Sequence, residues 1–193
     1  MIINKRIIFL FIINLSLCSV LFAQKKVEFS SALKAGLLNG EADKAGTEMQ
    51  LVGGVACKTW FAGIGSGIDY YSGFKSVPVF IEVRKDLKSK KNTPFVNADI
   101  GYNWPLINKD YKLNYGLAYK FQGGLYYELS AGYRFVLSRT LSMALSAGYS
   151  YKNFKETDSA YYGVGPFDQP LPPRVDMYDY KFRRISMKVA FWF

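Results

Sequence analysis

The sequence predicts an all-β protein, an eight-stranded antiparallel up-and-down barrel that crosses a membrane and is preceded by a signal peptide. Three observations predict it. Apolar residues recur at every second position over most of the chain. The breaks between these runs alternate between short and long, with Ser72–Ser76 the one exception. Charges collect on one parity of each run, and the other parity is nearly free of them between its ends.

The clearest run is Gly123–Lys152. Leu125, Tyr127, Leu129, Ala131, Tyr133, Phe135 and Leu137 alternate with Tyr126, Glu128, Ser130, Gly132 and Arg134. After Ser138-Arg139-Thr140 the alternation resumes, from Leu141 through Met143, Leu145, Ala147 and Tyr149 to Tyr151. A period of two places successive side chains on opposite faces of a strand, so the two runs form a hairpin. Each is about as long as a tilted strand crossing a bilayer, ~9–11 residues.

The other elements follow in order. Lys5 and Arg6, an apolar run from Ile7 and small Ala23 before Gln24 read as a secretory signal peptide cleaved near Ala23. That sets residues 1–23 as leader and 24–193 as the barrel domain. The first strand is Val27–Leu38. A polar connection, Asn39–Glu48, leads to Met49–Cys57, and a turn at Lys58-Thr59-Trp60 leads to Phe61–Tyr71. In that third strand Gly63, Gly65 and Gly67 face one way. No helix follows them, so they are no phosphate loop; they leave room for larger inward neighbours. Strands four and five are Val77–Leu87 and Pro94–Trp104. Pro105–Gln122 is a long connection before the hairpin. Asn153–Asp179, with Pro166, Pro170, Pro172 and Pro173, is the longest irregular segment. Tyr180–Phe193 is the last strand.

Composition supports an exported membrane barrel. Half the residues are hydrophobic, yet no stretch beyond the leader is long enough for a transmembrane helix; alternation spreads the apolar content. There is no His, which removes His-based triads and His zinc sites. Cys18 lies in the leader, and Cys57 reads as a small lipid-facing residue. The net charge of +10, of which Lys5 and Arg6 supply two, suits anionic lipid and lipopolysaccharide phosphates better than nucleic acid in an exported chain. No catalytic residue, metal ligand or cofactor is expected, and the external ligand is left open.

Parity also assigns side chains. Glu82, Arg84, Asp99, Glu128, Arg134, Arg184 and Lys188 should face the lumen and form a charge network that plugs it, since eight strands leave a bore that side chains fill. Arg84 and Arg134 are expected to pair with Glu82, Asp99 or Glu128. An aromatic girdle on the apolar face comprises Tyr70, Tyr102, Trp104, Tyr149, Tyr151 and Phe191. Phe29, Phe61, Phe135, Phe191 and Phe193 are placed near the inner ends of that face.

The leader ending Phe22-Ala23-Gln24, Gly63-Ile-Gly-Ser-Gly67, Val77-Pro-Val-Phe80, Thr93-Pro-Phe-Val96, Gly101-Tyr102, Gly132-Tyr-Arg-Phe135, Gly148-Tyr149 and terminal Phe193 carry a resemblance. The chain resembles the small eight-stranded outer-membrane β-barrel family of Gram-negative bacteria, the OmpA/OmpX-like proteins. The resemblance implies a bacterial outer-membrane location. It also implies that Val189, Phe191 and Phe193 form a C-terminal signal read by the barrel assembly machinery. The family shares a scaffold and no single activity. A non-enzymatic barrel whose external loops bind a partner or surface ligand is the first expectation. An outer-membrane enzyme acting on lipid and a narrow pore for small solutes stay open beside it.

Overall fold

The computed structural model describes residues 27–40, 45–106, 118–160 and 174–193. The leader and the proline-rich stretch around Pro166–Pro173 lie outside these described residues. Eight strands close into an antiparallel barrel in chain order: β1 (Val27–Gly40), β2 (Gly46–Cys57), β3 (Trp60–Tyr70), β4 (Lys75–Asp86), β5 (Thr93–Leu106), β6 (Ala118–Val136), β7 (Ser142–Ala160) and β8 (Arg174–Trp192). β1 and β8 close the ring, with Leu33 opposite Phe191 and Leu37 opposite Met187. Beyond that register, Phe193 and Ser31 exchange backbone hydrogen bonds of 2.8 and 3.1 Å.

The interior and exterior are inverted relative to a water-soluble barrel. Ile64, Leu51, Ile100, Leu129, Met187 and Ile81 are exposed, while Glu48, Glu82, Asp69, Lys152 and Glu128 are buried. Exposed apolar area on this scale marks contact with an apolar medium. The exterior therefore matches a lipid belt and the interior a closed polar core.

The short connections 58–59, 87–92 and 137–141 share one end of the barrel. In the tightest of them Lys58 takes φ 57°, the left-handed conformation that two-residue hairpin turns require. The bore behind this end carries an aromatic floor of Phe61, Phe95 and Trp192. Phe61 corrects its expected place on the outer face. It shares the parity of Gly63, Gly65 and Asp69, so it is buried and meets Trp192 edge-on at 4.9 Å. Trp60 is exposed instead, with Lys85 Nζ 4.4 Å from its ring centre.

Gly65 has its own reason. A Cβ there would sit 2.5 Å from Cζ of Phe80, whose ring lies in the bore against Tyr126. Gly65→Ala should destabilise the barrel by about 1–3 kcal/mol through overpacking, and Phe80→Leu in the same chain should recover part of that. Urea titration of the refolded barrel measures both; a Gly65→Ala barrel as stable as the parent would refute the packing account.

Several strands run further than the alternation suggested. β2 begins at Gly46, so Glu48 lies in a strand and not in a connection. β6, β7 and β8 each have 19 residues, well beyond the ~9–11 a bilayer needs. Residues 153–160 and 174–179, expected to be irregular, form paired strand. The three strands thus continue past the tyrosine girdle. A register shift between Gly123 and Tyr126 re-aims β6 where the extension begins.

Candidate functional site

The lumen is organised by one chain of alternating charge. Lys152 Nζ donates to Asp69 Oδ2 at 2.7 Å and lies 3.7 Å from Glu48. Lys188 Nζ lies 3.4 Å from the same Glu48 carboxylate and donates to Glu128 Oε2 at 2.9 Å and to Gln50 Oε1 at 3.1 Å. Ser186 and Tyr126 hydroxyls also donate to Glu128, and Ser76 donates to Asp69. The sequence Asp69–Lys152–Glu48–Lys188–Glu128 therefore crosses β3, β7, β2, β8 and β6. Every member is buried, so each charge depends on the next for its solvation.

Three smaller groups complete the filling. Lys34 on β1 pairs with Glu82 on β4 across the bore. Asn97 donates to Asp99 at 2.9 Å along β5. Toward the short-turn end, Arg134 Nη2 donates to Asp86 Oδ2 at 2.7 Å, and Arg84 lies 3.5 Å from the same carboxylate. The Arg84 guanidinium rests 3.7 Å from the Trp192 ring centre, a cation–π contact that seals the floor. The enclosed cavity left between Lys34, Glu82, Glu128, Lys188 and Trp192 measures about 10 Å³. That is the space of about one water molecule.

The expected network residues lie as follows. Glu82, Arg84, Asp99, Glu128, Arg184 and Lys188 are buried in the bore, and the Arg134 side chain is 23% exposed at its end. The expected partners of the two arginines are corrected: both meet Asp86, not Glu82, Asp99 or Glu128. Those three are taken by Lys34, Asn97 and Lys188. Asp86, Glu48 and Lys152 join the network beyond the expected set. Each continues an inward parity by one step: Asp86 two after Arg84, Glu48 two before Gln50, Lys152 two after Ser150. Extending the alternation to the strand ends would have found them.

On the outside, Tyr70, Tyr102, Trp104 and Tyr149 are exposed, and Tyr127 stacks on Tyr151 with centres 5.0 Å apart. Phe191 lies on the same outward face toward the short-turn end, with Val189 and Phe193. Cys57 is half-buried on the outward parity of β2.

At the opposite end a second aromatic cluster closes the bore. Tyr71 stacks on Phe74 at 4.6 Å, Phe74 meets Phe154 at 5.1 Å, and Phe154 stacks on Tyr180 at 4.8 Å and on Phe182 at 5.6 Å. Arg184 lies over Tyr71 at 4.9 Å. Burial raises the Tyr71 phenol well above its ordinary value, so it stays neutral. Tyr178 and Tyr180 carry the aromatic surface outward along β8 and remain exposed. Their strand partners across β7 are Glu156 and Phe154.

This arrangement holds charges in fixed pairs and offers an aromatic face at the mouth. Among the described residues there is no group of three or more His, Cys, Asp or Glu placed to hold a metal ion.

No protein-family model and no curated protein matches the chain. Solved structures similar to it include two outer-membrane proteins. Neisserial surface protein A aligns with a TM-score of 0.53 at 14% identity, over 86% of this chain and 98% of that one. The outer membrane protein OprG from Pseudomonas aeruginosa aligns with a TM-score of 0.51 at 14% identity, over 87% and 95%. At such identities the likeness is one of fold.

Proposed function

We propose that this chain is an integral outer-membrane barrel that neither conducts solutes nor catalyses a reaction, and that acts through the face it presents outside the cell. The filled bore carries this reading. Most of its charges are paired, its floor and mouth are closed by aromatic rings, and the enclosed cavity between Lys34, Glu82 and Trp192 measures about 10 Å³. A solute path needs a continuous polar lumen, and hydrolysis needs an accessible cleft where acid and nucleophile converge. The partner-binding part of the reading rests on the projecting strands, where Tyr178 and Tyr180 are exposed on aromatic-lined β8. Aromatic side chains are favoured where large, rigid contact area is needed.

The expected result is a chain that fractionates with the outer membrane, migrates differently in gels when unheated, and leaves a planar bilayer near its baseline conductance. Steady, large conductance of the parent barrel would support the pore instead. Recovery as a soluble periplasmic protein would remove the membrane reading altogether.

A further inference from the structure

The lipid-facing surface is not uniform. Along β7, β8 and β1 the strand pairing sets rows of outward residues: Leu145, Val189 and Ala35 in one, then Ala147, Met187 and Leu37 in the next. Ala35 and Ala147, with Ala131 opposite Ala147, end at Cβ, while Met187, Met49 and Tyr70 stand up around them. The result is an apolar furrow of about 790 Å³ in the belt. Ligand pockets span about 300–1,000 Å³.

A second cleft, of about 470 Å³, lies one row further along the same three strands. Tyr149, Ile185 and Asn39 line it, each two residues beyond a furrow residue, and Arg183 stands at its outer edge. Arg183 is exposed, opposite Tyr151 of the girdle, and has no carboxylate partner among the described residues. Lys181, the next outward residue, is engaged with Asp179 at 3.6 Å. Arg184 also borders the cleft, but its guanidinium is turned inward over Tyr71. The cation facing the cleft is therefore Arg183, at the depth where aromatic girdles meet lipid head groups.

We propose that furrow and cleft together bind one phosphate-bearing lipid of the outer leaflet, with acyl chain in the furrow and phosphate on Arg183. This rests on the outer-membrane reading above. Charge complementarity selects a phosphate: the guanidinium fork matches it in two parallel hydrogen bonds. The furrow and the cleft lie one row apart on the same three strands, which selects a lipid over a free ion, because inorganic phosphate would use the cleft alone.

Native mass spectrometry of the full barrel released from non-ionic detergent tests this, with phosphorylated lipid A offered against the same lipid after dephosphorylation. The parent should retain one copy, with about tenfold preference for the phosphorylated form. Arg183→Gln should abolish the preference, and Arg183→Lys should retain much of it. Ala147→Trp, which fills the furrow, should lower retention of both lipids. Inorganic phosphate at millimolar concentration should displace neither. Equal preference in the parent and Arg183→Gln would overturn the proposal, and so would displacement by inorganic phosphate with no dependence on acyl chains. Unheated gel migration shows that each variant is folded. Failure of the parent to float with lipid vesicles would remove the membrane reading rather than the lipid site.

Discussion

Lys188→Met should destabilise the folded barrel by about 3–5 kcal/mol, the cost of leaving a buried charge without its partner. Lys188 is buried and lies between two carboxylates, 2.8 Å from Glu128 and 3.4 Å from Glu48. Methionine keeps much of the stem volume and removes the charge, so the loss is chiefly electrostatic. Among the described residues Glu128 then retains only hydroxyl donors from Ser186 and Tyr126. Glu48 retains the Gln50 amide at 3.0 Å and Lys152 at the longer distance of 3.7 Å. Adding Glu128→Gln to Lys188→Met should recover part of the loss, because the second substitution removes the carboxylate stranded by the first. A double-mutant cycle in urea, read on barrels refolded into vesicles, measures the coupling. Zero coupling, or a Lys188→Met barrel within about 0.5 kcal/mol of the parent, would show that lumen water solvates these groups.

Ile81→Arg and Ile100→Arg should each cost about 2–4 kcal/mol and lower the yield of assembled barrel, whereas Ser89→Arg should be nearly silent. Ile81 and Ile100 are paired across β4 and β5, outward-facing and 56% and 60% exposed. Both lie midway along their strands. In water, such exposure would make arginine harmless there. In a bilayer it puts a guanidinium in hydrocarbon, too far from either interface to reach head groups. Ser89 is exposed in the 87–92 connection. The three substitutions add the same group and differ only in the medium it meets. Equal tolerance at all three positions would place the outward face in water and refute the membrane barrel.

The two experiments probe opposite faces of the barrel wall, and those faces were legible in the sequence for a local reason. Each strand separates an apolar medium from a closed polar core, so every second residue reports its side. Glu82 and Ile81, adjacent in the chain, needed no fold to be told apart. The same logic failed in 153–160 and 174–179. Past the girdle the outside is water, so the outward row becomes Asn153, Lys155, Lys181 and Asp179, and the aromatic rings of Phe154 and Phe182 turn inward. Alternation persisted there, but its polarity reversed at the membrane boundary, and a reading that held parity constant lost the strand.

Pairing was decided only by the closed barrel. Lumen side chains meet at the same height across the bore, and that height depends on how far each strand is staggered against the next. Arg84 and Arg134 could not be matched to Asp86 from their own strands, because the choice among four nearby carboxylates rests on a stagger of one or two residues. Glu48 comes from β2, and Lys152 and Lys188 come from β7 and β8, which lie far from β2 in the chain and reach it only when β1 closes on β8. Period two is a property of each strand and was present in the sequence. The order of charges Asp69–Lys152–Glu48–Lys188–Glu128 is a property of the ring, because low-dielectric burial forces each charge to find a partner within reach and closure determines which ones are.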